Sequence, residues 1–194
     1  MLFTKHDLNR LIWPLIGEQI LAVTVGMADT VMVAYCGETA MSGVALSDSI
    51  SFLLLQIFAA LCTGGAVVVS QHLGRGDPEG AGRAAGQLVW LTGWVAVAMS
   101  AVGFVFREPL LRGIFCNAEA EVLEQAMAYF AVIVLSFPFL GLYNAGAALL
   151  RSISDTGTSL WIALMMNLIN VAGNALLIYG CAMGVKGAAF ASLA

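Results

Sequence analysis

The stretch from Ala84 to Phe106 contains no charged residue. Wound as an α-helix at about 1.5 Å per residue it reaches roughly 35 Å, enough to cross a hydrocarbon layer of about 30 Å. Long apolar runs also occupy 11–37, 39–73, 125–150 and 158–179, and another begins at 187–194. Most of the charge is confined to the segments between them. Hydrophobic residues make up 60% of the chain and charged ones 10%, where a soluble domain carries about 25% charged residues. One globular core cannot bury so many long apolar runs, whereas a bilayer can. Only helices and closed barrels satisfy every backbone group in lipid. Barrel strands would be about ten residues long with period-two alternation, and these runs are longer and do not alternate. The sequence therefore predicts an all-α polytopic membrane protein. Its five transmembrane helices lie at about 11–37, 39–73, 84–106, 125–150 and 158–179, with the start of a sixth at 187–194. The 21 glycines suit helices that approach one another closely in lipid.

Lysine and arginine set the expected orientation. With the N-terminus inside, the inner segments carry Lys5, Arg10, Arg75, Arg83 and Arg151, and the outer ones carry Arg107, Arg112 and Lys186. The bias predicts a cytoplasmic N-terminus in a plasma (inner) membrane. The first run is too long for a cleavable leader and includes Glu18 and Asp29, so it reads as a span. A sixth span that stops at Ala194 is expected to mark the chain as a fragment. Pro14 falls in the first turns of span one, where it is tolerated, and Pro138 inside span four should kink it.

Several function classes are disfavoured. A net charge of −4 gives no electrostatic footprint for nucleic acid. Cys36, Cys62, Cys116 and Cys181 show neither CxxC nor metal-ligand spacing. Gly74, Gly76, Asp77 and Pro78 form a turn and not a phosphate loop, since no Lys-Ser/Thr pair comes after it. An intramembrane hydrolase would need a nucleophile and base at one depth, and His6 and His72 both fall at the inner surface.

The informative residues are the polar ones inside the spans, because an ionisable group at membrane depth is expensive. They are Glu18, Asp29 and Asp48, with amides at Gln19, Gln56, Asn144, Asn167, Asn170 and Asn174. Counting helical rise, Asp29, Asp48, Tyr129, Asn174 and Ser192 each lie roughly 9–12 Å below the outer membrane face. Five spans thus supply a polar side chain to one layer. Asn170 is one turn deeper than Asn174, and Asn167, Asn170 and Asn174 share a helix face of about 100°. A carboxylate, amides and hydroxyls at one depth suit a proton or a hard cation such as Na+, and suit interhelical hydrogen bonding equally. A carboxylate at the Asp29 depth must be neutral, paired or ligating. Glu18 lies about 16 Å inward on nearly the same face, as a second relay point or a cap to a neighbouring helix. Glu18, Gln19, Asp48 and Gln56 are candidates for a substrate pathway, and Gln56 is equally a candidate for a bridge between helices. The 9 methionines and 10 phenylalanines fit a lipid-facing packed bundle, and also a drug cavity.

Five short motifs carry a family likeness. Span one reads Pro14…Glu18-Gln19…Asp29-Thr30-Val31-Met32-Val33. Span two ends in Val69-Ser70-Gln71-His72-Leu73-Gly74-Arg75-Gly76-Asp77. Span four leaves through Leu150-Arg151-Ser152-Ile153-Ser154-Asp155-Thr156. Span five carries Asn170 and Asn174 and ends in Tyr179-Gly180, and Gly184-Val185-Lys186-Gly187 leads on to span six. In this order over nearly the whole chain, they resemble the multidrug and toxic compound extrusion (MATE) family. The resemblance implies the N-terminal lobe, residues 1–194, of a twelve-helix transporter built from two six-helix bundles. It implies export of amphipathic, often cationic, compounds by alternating access, driven by H+ or Na+, with no other cofactor. Asp29 then takes the coupling role, and Asn170 and Asn174 bond to it or help hold the cation. Asn167, Tyr129 and Ser192 join this network by position. Asn174 stands where some members have a carboxylate. The second lobe is a missing partner, without which the polypeptide is not expected to transport. A flippase of lipids or lipid-linked sugars is the alternative, but it would need basic side chains at membrane depth, and none is present there. Asp155, with Ser154 and Thr156, is expected to cap the fifth span.

Overall fold

The computed structural model describes residues 5–181 and 184–193. The side chains of Lys5, His6, Arg10 and Lys186, and all of Ala194, lie outside the described set, so the readings placed on them rest on sequence. The described residues form helices α1 (Lys5–Ala34), α2 (Glu38–Gly74), α3 (Pro78–Val105), α4 (Arg107–Ile114), α5 (Ala120–Ser152), α6 (Thr156–Asn174) and α7 (Gly184–Leu193). A π-helical turn, Ala175–Gly180, prolongs α6. Five helical segments are long and apolar enough to cross a membrane: Leu11–Ala34, Glu38–Gly74, Pro78–Val105, Ala120–Ser152 and Thr156–Gly180.

The helices overrun the apolar runs, because hydropathy marks the hydrocarbon layer and not the end of a helix. α1 starts at Lys5, so Pro14 sits within it and not in its first turns. α3 starts at Pro78, where Asp77 accepts a hydrogen bond from Gly80 N and Pro78 occupies the first turn, the position that suits a residue without an N–H. α5 starts at Ala120 and runs unbroken through Pro138. α4 falls in a segment that the sequence marks as polar and mixed. It is held by a Glu108–Arg112 ion pair at 3.1 Å and by Leu111, which is fully buried. Asp155 caps α6, accepting from Thr158 N at 3.1 Å.

α5 is the central helix. Ala126, Phe130, Val134 and Phe137 recur at three- or four-residue spacing and are fully buried against α2 and α3. Phe58 of α2 meets Phe137 edge to face, with centroids 6.1 Å apart. Small residues let these backbones approach closely. A Cβ on Gly43 of α2 would lie 2.8 Å from Gln125 Cβ and 2.9 Å from Ala126 N of α5. One turn on, Ser47 donates to Ala126 O at 2.9 Å. α1 packs mainly on α6, and α7 packs on both α5 and α6. The bundle is therefore a trio, α2–α3–α5, joined through α7 to the α1–α6 pair.

Candidate functional site

Where the trio meets the pair, a cavity of about 180 Å³ opens, lined by Gly26, Asp29, Thr30, Val33, Met41, Val44, Ala45, Asp48, Tyr129, Asn174, Ala188 and Ser192. Helices α1, α2, α5, α6 and α7 each contribute to the lining. No lysine, arginine or histidine is among these residues. Alternation of the spans brings the polar groups to one level, and the packing of α1 on α6 turns Asp29 toward the asparagines.

Asp29 is half-buried and accepts from Asn174 Nδ2 at 2.7 Å. Asn174 is 2% exposed, and its Oδ1 is buried without a hydrogen-bond partner. An orphaned acceptor in apolar surroundings is costly, and it suits a small cation, which takes oxygen ligands. Asn174 turns its Nδ2, not this oxygen, to Asp29, so the Asp29 carboxylate and Asn174 Oδ1 are separate oxygen acceptors of the cavity residues, either of which suits a proton or Na+.

Asn170 turns its amide nitrogen to both carboxylate oxygens of Asp29 at 3.2 Å, the orientation that avoids setting an amide oxygen against the carboxylate, and the other end of its amide lies 3.4 Å from Ser192 Oγ. Ser192 also donates to Ala188 O at 3.1 Å. On the other wall, Tyr129 is 7% exposed and lines the cavity with Asp48 and Ser192.

The remaining sequence candidates lie elsewhere. Asn167 shares a face with Asn170 and Asn174, yet its Nδ2 donates back to Ala163 O at 2.8 Å. Asn144 likewise bonds Leu140 O at 2.8 Å. Glu18 is tied at the other end of the bundle, accepting from Ser159 Oγ at 3.3 Å and Arg151 Nη1 at 3.5 Å. Sequence reasoning missed these two partners, although Arg151 and Ser159 flank the same loop between α5 and α6. Gln19 and Gln56 are exposed. The turn after α2 is closed by His72 Nδ1 and Asp77 Oδ2 at 2.9 Å. Asp77, outside the spans, is held below the ordinary carboxylate value of 3.8 by the Gly80 N–H and then by His72. All four cysteines are free.

The MatE family model matches residues 14–176, most of the chain and every span that crosses the bundle. This chain belongs to the MatE family. Among relatives of this MatE chain, the probable multidrug resistance protein NorM of Thermotoga maritima is 28% identical over 193 residues. That match takes in 97% of this chain and 41% of the relative. The uncharacterized transporter YisQ of Bacillus subtilis is 29% identical over 191 residues, 96% of this chain and 41% of its own length. This MatE chain therefore spans about two fifths of those relatives. A solved structure described as the outward-facing conformation of a multidrug resistance MATE family transporter of the MOP superfamily superposes with a TM-score of 0.91. It is 23% identical, over 96% of this chain and 41% of that one. That likeness supports the fold: an all-helical arrangement matching the N-terminal part of a MATE transporter.

Proposed function

We propose that the whole protein exports amphipathic, cationic small molecules in exchange for an inward-moving H+ or Na+, by alternating access, and that Asp29 carries the coupling cation in this lobe. The observation that carries the reading is the Asp29 carboxylate, half-buried in a cavity without a basic residue and bonded at 2.7 Å to a buried asparagine. A carboxylate so placed needs a counter-charge, and a transported cation supplies it reversibly. Asn174 and Asn170 orient the carboxylate and offer further oxygens. Tyr129 and Ser192 extend the polar network. Asn167, bonded to its own helix, stands outside it. Glu18, Gln19, Asp48 and Gln56 remain the candidate groups for a substrate pathway. Lys5, Arg10, Arg75, Arg83 and Arg151 on one side against Arg107, Arg112 and Lys186 on the other support a cytoplasmic N-terminus in the plasma membrane. The C-terminal lobe of the same protein is the partner that would close the transport path.

The test is efflux of a fluorescent cationic dye from cells expressing the full-length protein. Wild type is compared with Asp29→Asn under H+ and Na+ gradients imposed separately. The expected outcome is an inserted variant that no longer exports, and a wild type that follows one gradient. Undiminished export by Asp29→Asn would remove Asp29 from the mechanism.

A further inference from the structure

We propose that Asp48 receives the positively charged group of the transported molecule, and that its occupancy is linked to the cation on Asp29 through the cavity the two carboxylates share. This inference rests on the antiport reading and deepens it by assigning the second carboxylate of the same cavity.

Asp48 differs from Asp29 in access. Its side chain is exposed, whereas Asp29 is half-buried and Asn174, bonded to it, is buried. Drug-sized ligands occupy pockets of about 300–1,000 Å³, so a cavity of about 180 Å³ takes an ammonium-sized head and leaves the rest of the molecule beyond its mouth. Val33, Met41, Val44 and Ala45 line the same space and provide apolar contact for the carbons around such a head. No basic side chain lines the cavity to neutralise either acid, and two carboxylates sharing a site cannot both stay negative cheaply. The orphaned Oδ1 of Asn174 marks the deeper corner as the seat of the smaller cation, which leaves Asp48 for the larger one.

The linkage is electrostatic. Asp29 and Asp48 line one cavity that no lysine, arginine or histidine lines, so a cation seated on Asp29 removes part of the negative field that holds a second cation at Asp48.

Binding of ethidium, a permanent monocation, to the purified full-length protein tests this. Wild-type affinity is expected to weaken as Na+ or H+ is raised. Asp48→Asn should weaken ethidium binding at least about tenfold, and Asp48→Glu should restore most of it. Asp29→Asn should bind ethidium but lose the dependence on Na+ or H+. Should Asp48→Asn fail to insert, a cysteine at Ala45, one turn away on the cavity wall, gives a second readout: ethidium should slow its labelling by a charged thiol reagent. Ethidium affinity within twofold of wild type in Asp48→Asn, or no protection at Ala45→Cys, would overturn the proposal. No ethidium binding by the wild type would overturn it together with the cationic-substrate reading. The two readings fail separately. Weakened binding in Asp48→Asn with normal export in Asp29→Asn sinks the coupling role alone, and the reverse pair of results sinks the role of Asp48 alone.

Discussion

Adding a single methyl group at Gly43 should disturb the cavity from a distance. Gly43 sits five residues before Asp48 on α2, and it faces Gln125 and Ala126, three to four residues before Tyr129 on α5. In Gly43→Ala the new Cβ would lie 2.8 Å from Gln125 Cβ, 2.9 Å from Ala126 N and 3.0 Å from Val122 O. Carbon atoms rest comfortably at about 3.5–4.0 Å, so the seam must open by roughly 0.7–1 Å. Overpacking of this kind costs about 1–3 kcal/mol. The same opening stretches the Ser47–Ala126 hydrogen bond, 2.9 Å in the native seam, past its useful length. That loss forfeits about 0.6 kcal/mol, the average for interhelical bonds in a membrane. Alanine gains about 0.5–1 kcal/mol over glycine in a helix, and Gly86→Ala on α3 isolates that gain, because nothing lies within 4 Å of its would-be Cβ. The helix gain is common to both variants, so they should differ by about 1.6–3.6 kcal/mol. At about 2–4 °C per kcal/mol for a chain of this size, that is a gap of at least about 3 °C in thermal unfolding of the detergent-purified protein. Ethidium affinity should fall in Gly43→Ala and not in Gly86→Ala. Equal unfolding temperatures would refute the claim that this seam is rigid and sets the spacing of Asp48 and Tyr129.

The geometry sets two further expectations. Asn167→Ala should leave dye export within about twofold of wild type, because its amide serves only its own helix. Asn170→Ala should lower it about tenfold or more, as expected for a lost bond to a charged group worth about 1.5–3 kcal/mol; equal effects in transport assays would contradict that division. Asp77 has its folded value below the ordinary 3.8, so its contribution is present at neutral pH and is lost as pH falls from about 4 through that lower value. Asp77→Asn should therefore show a smaller drop in unfolding temperature between pH 5 and pH 3 than wild type, and identical drops would show that the turn does not depend on the ionised form.

The spans were legible because hydrophobic length is a direct measure of membrane crossing, and the polar layer was legible because helical rise converts position into depth. Depth is one coordinate only. The direction in which a side chain points around its helix depends on neighbours that no single run reveals. Asn167 and Asn170 are three residues apart and read alike, yet packing of α1 on α6 gives Asp29 to Asn170 and leaves Asn167 to its own carbonyl. Asp48 was legible as an acid among serines. That it shares a cavity with Tyr129 needed the Gly43–Ala126 approach, which places α5 beside α2. Glu18 found Ser159 and Arg151 for the same reason: both arrive from helices distant in sequence. The overrun of α1, α3 and α5 beyond the apolar runs reflects caps and polar turns, which hydropathy does not register.

The π-helical turn after Asn174 has a consequence for how change at the outer rim is contained. Up to Asn174 the angular phase of α6 is counted from the Asp155 cap, and it aims Asn170 and Asn174 at Asp29. Beyond it, Cys181 N reaches back five residues to Leu176 O at 3.0 Å. The extra residue re-phases the end of the helix, so that Tyr179 meets Tyr35 edge to face at 5.1 Å. Removing one residue from Ala175–Gly180 would return this turn to α-helical winding and swing Tyr179 by about 100° without altering the bearing of either asparagine. The turn acts as a slip ring: variation in the loop beyond it is absorbed above Asn174, and the inner side of the helix keeps its alignment with the carboxylate.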